Sequence, residues 1–365
     1  MEPLIIGNTK FSIDLLKQFC KVNGDVLFSP LSISSSLGLI VLGAAGDTEE
    51  QMLKVLHYNH EKIMYHDLYE EFYKRGKNRP LKMYNRLFGE RSIDFKNTFL
   101  DHNEEWCFAS IRNADFKKDP EGAREQINSW VKDKTEDLVP ILLKSDDVDE
   151  KTLLVLISVV LFKQDWESPF ESSDDRKYNG GKWTMIQQTN SFLVGDIPEA
   201  DSRILEIPYK GKTLSMLILL PNKPDGLKKL LDMITYEKLE EWNEPDHMNP
   251  LKLTVKIPRF QLDRKNNLKE ALVALGMTDL FTSKCDLSGM SSDPLILSKV
   301  ENECVMNVTN KGSEGGSATD GVVKSVKRVF NLAPNENDFV ADHPFLFYIR
   351  DNATKSIIFW GRIEP

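Results

Sequence analysis

No apolar run in this chain is long enough to cross a bilayer. The most apolar stretch, Leu153–Phe162, is only ten residues and reads as a buried central strand. Cysteine is scarce. Cys20, Cys107, Cys285 and Cys304 lie far apart, with no C-x-x-C spacing. That pattern favours free, buried thiols and a reducing compartment. The first residues, Met1-Glu-Pro-Leu-Ile-Ile-Gly-Asn, lack a basic start and a long apolar stretch, so no secretory signal is expected. A cytoplasmic protein is expected, with release without a signal left open. There is no basic block either. Lys and Arg number 47 against 56 Asp and Glu, a net charge of −9. This argues against general nucleic-acid or polyanion binding, although a local basic patch stays open. No Gly/Ser/Pro-rich linker and no internal repeat divides the 365 residues. The length suggests one large domain or two, with chain enough for a sizeable core.

Catalytic constellations are also missing, and no enzyme is expected. His57-x-x-His60 with His66 hints at a metal site, but the surrounding segment is charged and reads as exposed surface. His343, in Asp342-His-Pro, has no serine in a nucleophile-elbow context beside it and reads as a structural residue at a strand start. Gly43-Ala-Ala-Gly46 lacks the Gly-Lys-Ser/Thr ending of a phosphate loop and reads as a tight helix connection. Gly211-Lys-Thr213 has that ending without the upstream glycine, and reads as a hairpin turn. No metal and no cofactor is expected.

What the chain does contain is mixed secondary structure. Phe11, Leu15 and Phe19 recur at helical spacing. Thr48-Glu-Glu-Gln51 reads as a capping box opening the next helix. The N-terminal half reads mostly helical. From residue 153 strands dominate, at Leu214–Leu220, Leu251–Ile257, Leu295–Val300, Phe345–Ile349 and Ser356–Phe359. Helices return at Gly226–Ile234, Thr235–Trp242 and Leu268–Leu275. The class is α+β.

One segment stands apart. Gly312, Ser313, Glu314, Gly315, Gly316, Ser317, Ala318 and Thr319 form a small, flexible run between two β-rich segments. It alternates like a strand. Ser313, Gly315, Ser317, Thr319, Gly321 and Val323 share one slim face, while Glu314, Ala318 and Asp320 fall on the other. A strand-like loop with one slim face is what insertion into an existing sheet requires.

This run resembles the reactive-loop hinge of the serpins, and the resemblance extends along the chain. Its blocks include Phe28-Ser-Pro-Leu-Ser-Ile-Ser34, Tyr84-Asn-Arg-Leu-Phe-Gly89, Phe162-Lys-Gln-Asp-Trp166, Leu275-Gly-Met-Thr-Asp-Leu-Phe281, Asp342-His-Pro-Phe-Leu-Phe347 and Phe359-Trp-Gly-Arg362, in the family's order and spacing. The resemblance points to the intracellular, ovalbumin-like branch. It implies one serpin domain over residues 1–365, with three β-sheets, about nine helices and an exposed reactive-centre loop at about 310–338. It also implies a monomer that inhibits a serine protease as a suicide substrate. The protease forms a covalent acyl-enzyme, and the cut loop inserts into the main sheet and stalls hydrolysis.

The resemblance carries over to particular positions. Gly315, Gly316 and Ser317 stand where inhibitors usually carry alanine. Each ordered strand Gly costs about 0.5–1 kcal/mol relative to Ala, which predicts slower insertion. Asn310-Lys311 replaces the usual pair of acids. Ser29, Ser32, Ser158 and Asn302 match the polar cluster where the sheet must open, with Ser and Asn in place of the usual Asn and His. A rewired latch with weak pH sensitivity is expected there. Counting from the hinge puts the scissile residue at Val326, while counting back from Phe339 puts it near Phe330. Phe330-Asn331 suits a chymotrypsin-type pocket and Val326 an elastase type. Those targets are favoured, with Arg328 and a trypsin-like enzyme as the alternative. A non-inhibitory binding protein on the same fold is the second alternative. The sequon at Asn307 falls in a main-sheet strand, where a glycan does not fit.

Overall fold

The computed structural model describes residues 2–58, 80–107, 111–173, 175–178, 181–314 and 338–364. Among these, eight α-helices are present: α1 (Glu2–Phe19), α2 (Pro30–Val41), α3 (Gly46–Val55), α4 (Asn97–Cys107), α5 (Pro120–Lys134), α6 (Leu227–Met233), α7 (Tyr236–Trp242) and α8 (Leu268–Leu275). The first strands are β1 (Val26–Phe28), β2 (Leu81–Glu90), β3 (Ile111–Ala114), β4 (Leu154–Phe162), β5 (Gln164–Asp165), β6 (Glu171–Ser172), β7 (Arg176–Tyr178), β8 (Gly181–Trp183) and β9 (Met185–Ile197). They are followed by β10 (Ser202–Pro208), β11 (Leu214–Pro221), β12 (Asn249–Pro258), β13 (Phe260–Asn267), β14 (Leu297–Val308), β15 (Gly312–Glu314), β16 (Phe339–Val340), β17 (Phe345–Asp351) and β18 (Ile357–Ile363).

The chain divides into two compact units. The first comprises Met1–Phe19, Phe28–Leu161 and Arg264–Cys304; the second comprises Cys20–Leu27, Phe162–Asp263 and Val305–Pro365. In the first, strands order as β3-β2-β4-β14, with β13 beside β14. β4 is apolar but for one serine, and all nine of its residues are buried, as in a strand covered on both faces. Each buried Val, Leu or Ile there contributes about 1.5–3 kcal/mol. In the second unit, the end of β14 is followed by β15 and β5. A larger sheet orders as β1-β18-β17-β11-β10-β9-β12-β16, with β6 beside β9, and β7-β8 is a separate hairpin. Strands β11, β17 and β18 are buried along their whole length. Among the described residues the architecture is α+β, with two large mixed sheets and the β7–β8 hairpin, and the α+β class is as the sequence implied.

One reading of the N-terminal half is corrected. Thr48–Gln51 is not a capping box. α3 begins at Gly46, and its N-cap Ala45 makes no side-chain cap bond. Both polar groups serve tertiary contacts instead. Thr48 Oγ1 accepts from the Asp286 amide at 2.9 Å, and Gln51 Oε1 accepts from the Thr278 and Asp279 amides, each at 2.9 Å. Among the described residues the N-terminal half is mostly helical, and the ten-residue β2 with β3 parallel to it runs among its helices. β14 extends well past Val300, to Val308, and the added residues carry most of the site described next.

Candidate functional site

The first part of the site begins at the N-terminus of α2. Ser29 takes an extended conformation, and its hydroxyl accepts from the Ser32 amide, while Pro30 supplies a first-turn residue that has no amide to satisfy. This places Ser32 one turn inside the helix, wholly buried. Its hydroxyl donates to Asn85 Oδ1 on β2 at 3.1 Å. A hydroxyl has one proton, so the 2.7 Å contact between Ser32 Oγ and Ser158 Oγ is donated by Ser158 on β4. Ser158 Oγ in turn accepts from Asn302 Nδ2 on β14 at 3.0 Å, and Asn302 Oδ1 accepts from the Cys304 thiol at 3.3 Å. The Ser29 amide donates to the Cys304 sulfur. The four positions singled out in the sequence therefore lie in one directional chain of hydrogen bonds across β2, β4 and β14. Asn85 and Cys304 were missed. Cys304 was within reach, since it stands two residues from Asn302 on the same strand face. Burial pushes its thiol well above the usual range, so it stays protonated at neutral pH.

The opposite face of β14 carries a cluster that sequence reasoning missed altogether. Lys299 Nζ lies 2.8 Å from Asp147 Oδ1 and 3.1 Å from Glu301 Oε1. Lys265, on β13, reaches Asp147 Oδ2 at 3.1 Å and donates to the Leu142 carbonyl at 2.7 Å. Asp147 belongs to the segment between α5 and β4. Despite partial burial, the lysines and the Lys144 amide hold its carboxyl down at about 2. Glu301 is 1% exposed, and burial raises its carboxyl against the pull of both lysines. Its Oε2 has no hydrogen-bond partner among the described residues.

The second part of the candidate site is the expected hinge. Gly312–Glu314 already forms a strand, β15, between β14 and β5. Asn307 pairs with Glu314 and Val308 with Ser313 on one side; Gly312 pairs with Asp165 and Ser313 with Gln164 on the other. Gly312 is needed for that fit, because a Cβ there would stand 2.1 Å from the Gln164 carbonyl oxygen. Ser313 is fully buried, and its hydroxyl lies 2.8 Å from the Tyr209 hydroxyl. Tyr209 is itself fully buried. Its ring stacks on Trp166 at 4.5 Å and meets the edge of Phe162 at 5.2 Å. Burial holds its phenol far above the ordinary range, so it is always the neutral, protonated form. The turn before β15 is braced by the same aromatic. Trp166 Nε1 donates to the Thr309 carbonyl at 3.0 Å, and the Trp166 amide donates to the Lys311 carbonyl at 2.7 Å. Asn310, in place of an acid, reaches the Phe170 carbonyl at 3.4 Å and Ser172 Oγ at 3.5 Å.

Comparison with known proteins agrees with this geometry. A family model described as Serpin (serine protease inhibitor) matches residues 6–365. The chain belongs to the serpin family. It is 41% identical to the leukocyte elastase inhibitor of Bos taurus and 37% identical to serpin B4 of Homo sapiens, each over 100% of both chains. The crystal structure of uncleaved ovalbumin superposes with a TM-score of 0.88 at 28% identity, covering 98% of each chain. These similarities agree with the ovalbumin-like branch.

In this serpin the rest of the expected reactive loop lies outside the described residues. That applies to the hinge residues Gly315, Gly316, Ser317, Ala318 and Thr319, and to the scissile candidates Val326, Arg328, Phe330 and Asn331. His60 and His66 lie outside them as well. His57 contacts Asp14 at 2.6 Å, half exposed. His343 is structural, as expected. Its Nε2–H donates to the Pro221 carbonyl at 2.7 Å, just before β17. Cys20, Cys285 and Cys304 are free thiols, but Cys20 and Cys285 are only partly buried. Asn307 is 5% exposed within β14, so its sequon is closed to a glycan in the folded protein. Among the described residues no helix is long and apolar enough to cross a membrane.

Proposed function

We propose that this serpin is a single domain over residues 1–365 that inhibits a serine protease as a suicide substrate. One observation carries the reading: Gly312–Glu314 is a strand hydrogen-bonded on both sides, with the slim Ser313 side chain buried. The following residues continue a pattern that can extend that strand. The protease serine would add to the scissile carbonyl, and its proton would pass through the protease histidine to the leaving amine as the peptide bond breaks. An ester between protease and serpin remains. Insertion of the freed loop carries the esterified protease away before water can cleave that ester, and the driving force is a native fold trapped above a more stable one. The latch formed by Ser29, Ser32, Ser158 and Asn302 would open during that step.

Chymotrypsin- or elastase-like enzymes are the proposed targets, with the scissile bond at Phe330-Asn331 or after Val326. Similarity to the bovine leukocyte elastase inhibitor favours the elastase arm. Cleavage after Arg328 by a trypsin-like enzyme is the alternative. The proposed form is a monomer needing no cofactor, in the cytoplasm or released from it. The three free thiols favour a reducing compartment.

The test mixes the protein separately with chymotrypsin, elastase and trypsin. An SDS-stable band at the summed mass is expected, and the first residue of the released C-terminal peptide names the scissile bond. Clipped serpin beside fully active protease in all three mixtures rejects inhibition of these classes and favours a binding protein.

A further inference from the structure

Among the described residues the Tyr209 hydroxyl makes one hydrogen bond, to Ser313 in the expected hinge. Both residues are fully buried, so neither hydroxyl can turn to water instead. The phenol cannot swing away, because its ring is clamped between Trp166 and Phe162. Trp166 also fixes the turn entering the hinge, through Thr309 and Lys311. The arrangement is therefore a rigid aromatic wall presenting a single polar atom to the first slim residue of the loop. A phenylalanine at 209 would fill the same space and leave the buried Ser313 hydroxyl without its hydrogen-bond partner among the described residues.

We propose that Tyr209 is a positioning residue for loop insertion: its hydroxyl holds Ser313 in the strand register between β14 and β5, so that insertion extends an existing strand rather than starting a new one. This rests on the inhibitory reading above. Starting a strand requires ordering residues before any bond repays them, whereas extending one adds bonds as each residue is ordered. Insertion races against hydrolysis of the acyl-enzyme. Losing the starting register would slow insertion alone and send more molecules down the hydrolytic branch. The bond does not touch the scissile residue, so the first attack by the protease is unaffected.

The experiment uses the full-length protein and whichever protease it traps. Tyr209→Phe is expected to raise the moles of serpin consumed per mole of protease inhibited by about fivefold, the factor a typical buried hydrogen bond sets. The second-order rate of loop cleavage should stay at the wild-type value. Ser313→Ala removes the same bond from the other side and should behave alike, so a poorly folded Tyr209→Phe does not leave the question open. The double variant should be no worse than the worse single, because one bond is shared. Amide hydrogen exchange over residues 309–314 gives a readout independent of inhibition and should rise in both single variants. Unchanged stoichiometry in the two single variants overturns the inference while the inhibitory reading stands. A wild-type protein that traps no protease overturns the inhibitory reading itself, and the inference with it.

Discussion

Ser158 Oγ sits at the middle of the buried chain, accepting from Asn302 at 3.0 Å while it donates to Ser32 at 2.7 Å. Replacing it with alanine leaves a buried amide donor and a buried hydroxyl oxygen each short of a partner. The expected cost is about 1–3 kcal/mol, read as a lower denaturant midpoint with an unchanged slope. None of Ser32, Ser158, Asn302 and Asn85 ionises near neutrality, and Cys304 is held protonated by burial. Opening at this point, followed by amide exchange of β4 and β14 and corrected for the intrinsic rate, should therefore be flat between pH 6 and 8. A steep change in that interval would reject a latch without a titrating group. Legibility at this scale follows from locality. Asn302 and Cys304 share a strand face by simple alternation, so their contact was within reach of the sequence. Asn85 was not, because its place depends on how β2 docks against α2, 53 residues away from Ser32.

Strand β14 shows why elements are harder to read than residues. One face carries the hydrogen-bonded chain and the other the Asp147–Lys299–Glu301–Lys265 cluster. Asp147 and Lys299 are 152 residues apart, and nothing in either local pattern announces the pair. The misread Thr48–Gln51 is the converse case, a valid local signal overridden by tertiary partners. The charged cluster makes a signed prediction. The folded-state value for Asp147, about 2, is below its ordinary 3.8, so its contribution is full above pH 4 and is lost as pH falls towards 2. Glu301 has the opposite sign. Its carboxyl is raised, so ionising it opposes folding, and lowering the pH through its folded value relieves that penalty. Asp147→Asn should cost about 1–3 kcal/mol at pH 7 and flatten the fall in stability between pH 4 and 2. Glu301→Gln should cost less at pH 7, because it removes a buried charge with an unpaired oxygen. Urea unfolding at each pH checks both. An Asp147→Asn curve parallel to wild type down to pH 2 would show that the clamp contributes nothing.

At the scale of the molecule, the sheet contains a short strand formed by the described residues Gly312–Glu314. β15 occupies three residues against a β14 that runs for twelve. β14 otherwise lies beside β4 and β13, and the proposed insertion would extend β15 along it. Family resemblance made the hinge legible in the sequence, because small residues and period-two alternation are local properties. That the hinge already sits in the sheet was not legible, since it depends on Gly312 passing the Gln164 backbone and on the Tyr209 wall. On the proposed mechanism, extending that strand should release free energy. Cutting the loop between Val326 and Asn331, without any trapped protease, is expected to raise the thermal midpoint by at least about 10 °C. In chains of 150–250 residues each kcal/mol moves the midpoint by about 2–4 °C, and by less in longer ones, so such a rise marks more than about 2.5 kcal/mol. Ser313→Arg supplies the control. A guanidinium cannot enter the closed space beside Tyr209 without leaving a charge buried and unpaired. The nicked variant should therefore keep the midpoint of its intact form. A rise in wild type with none in the variant would tie the gain to insertion through the hinge. Equal midpoints before and after cutting in wild type would mean that the loop stays out, and a serpin of that kind would bind its partner rather than trap it.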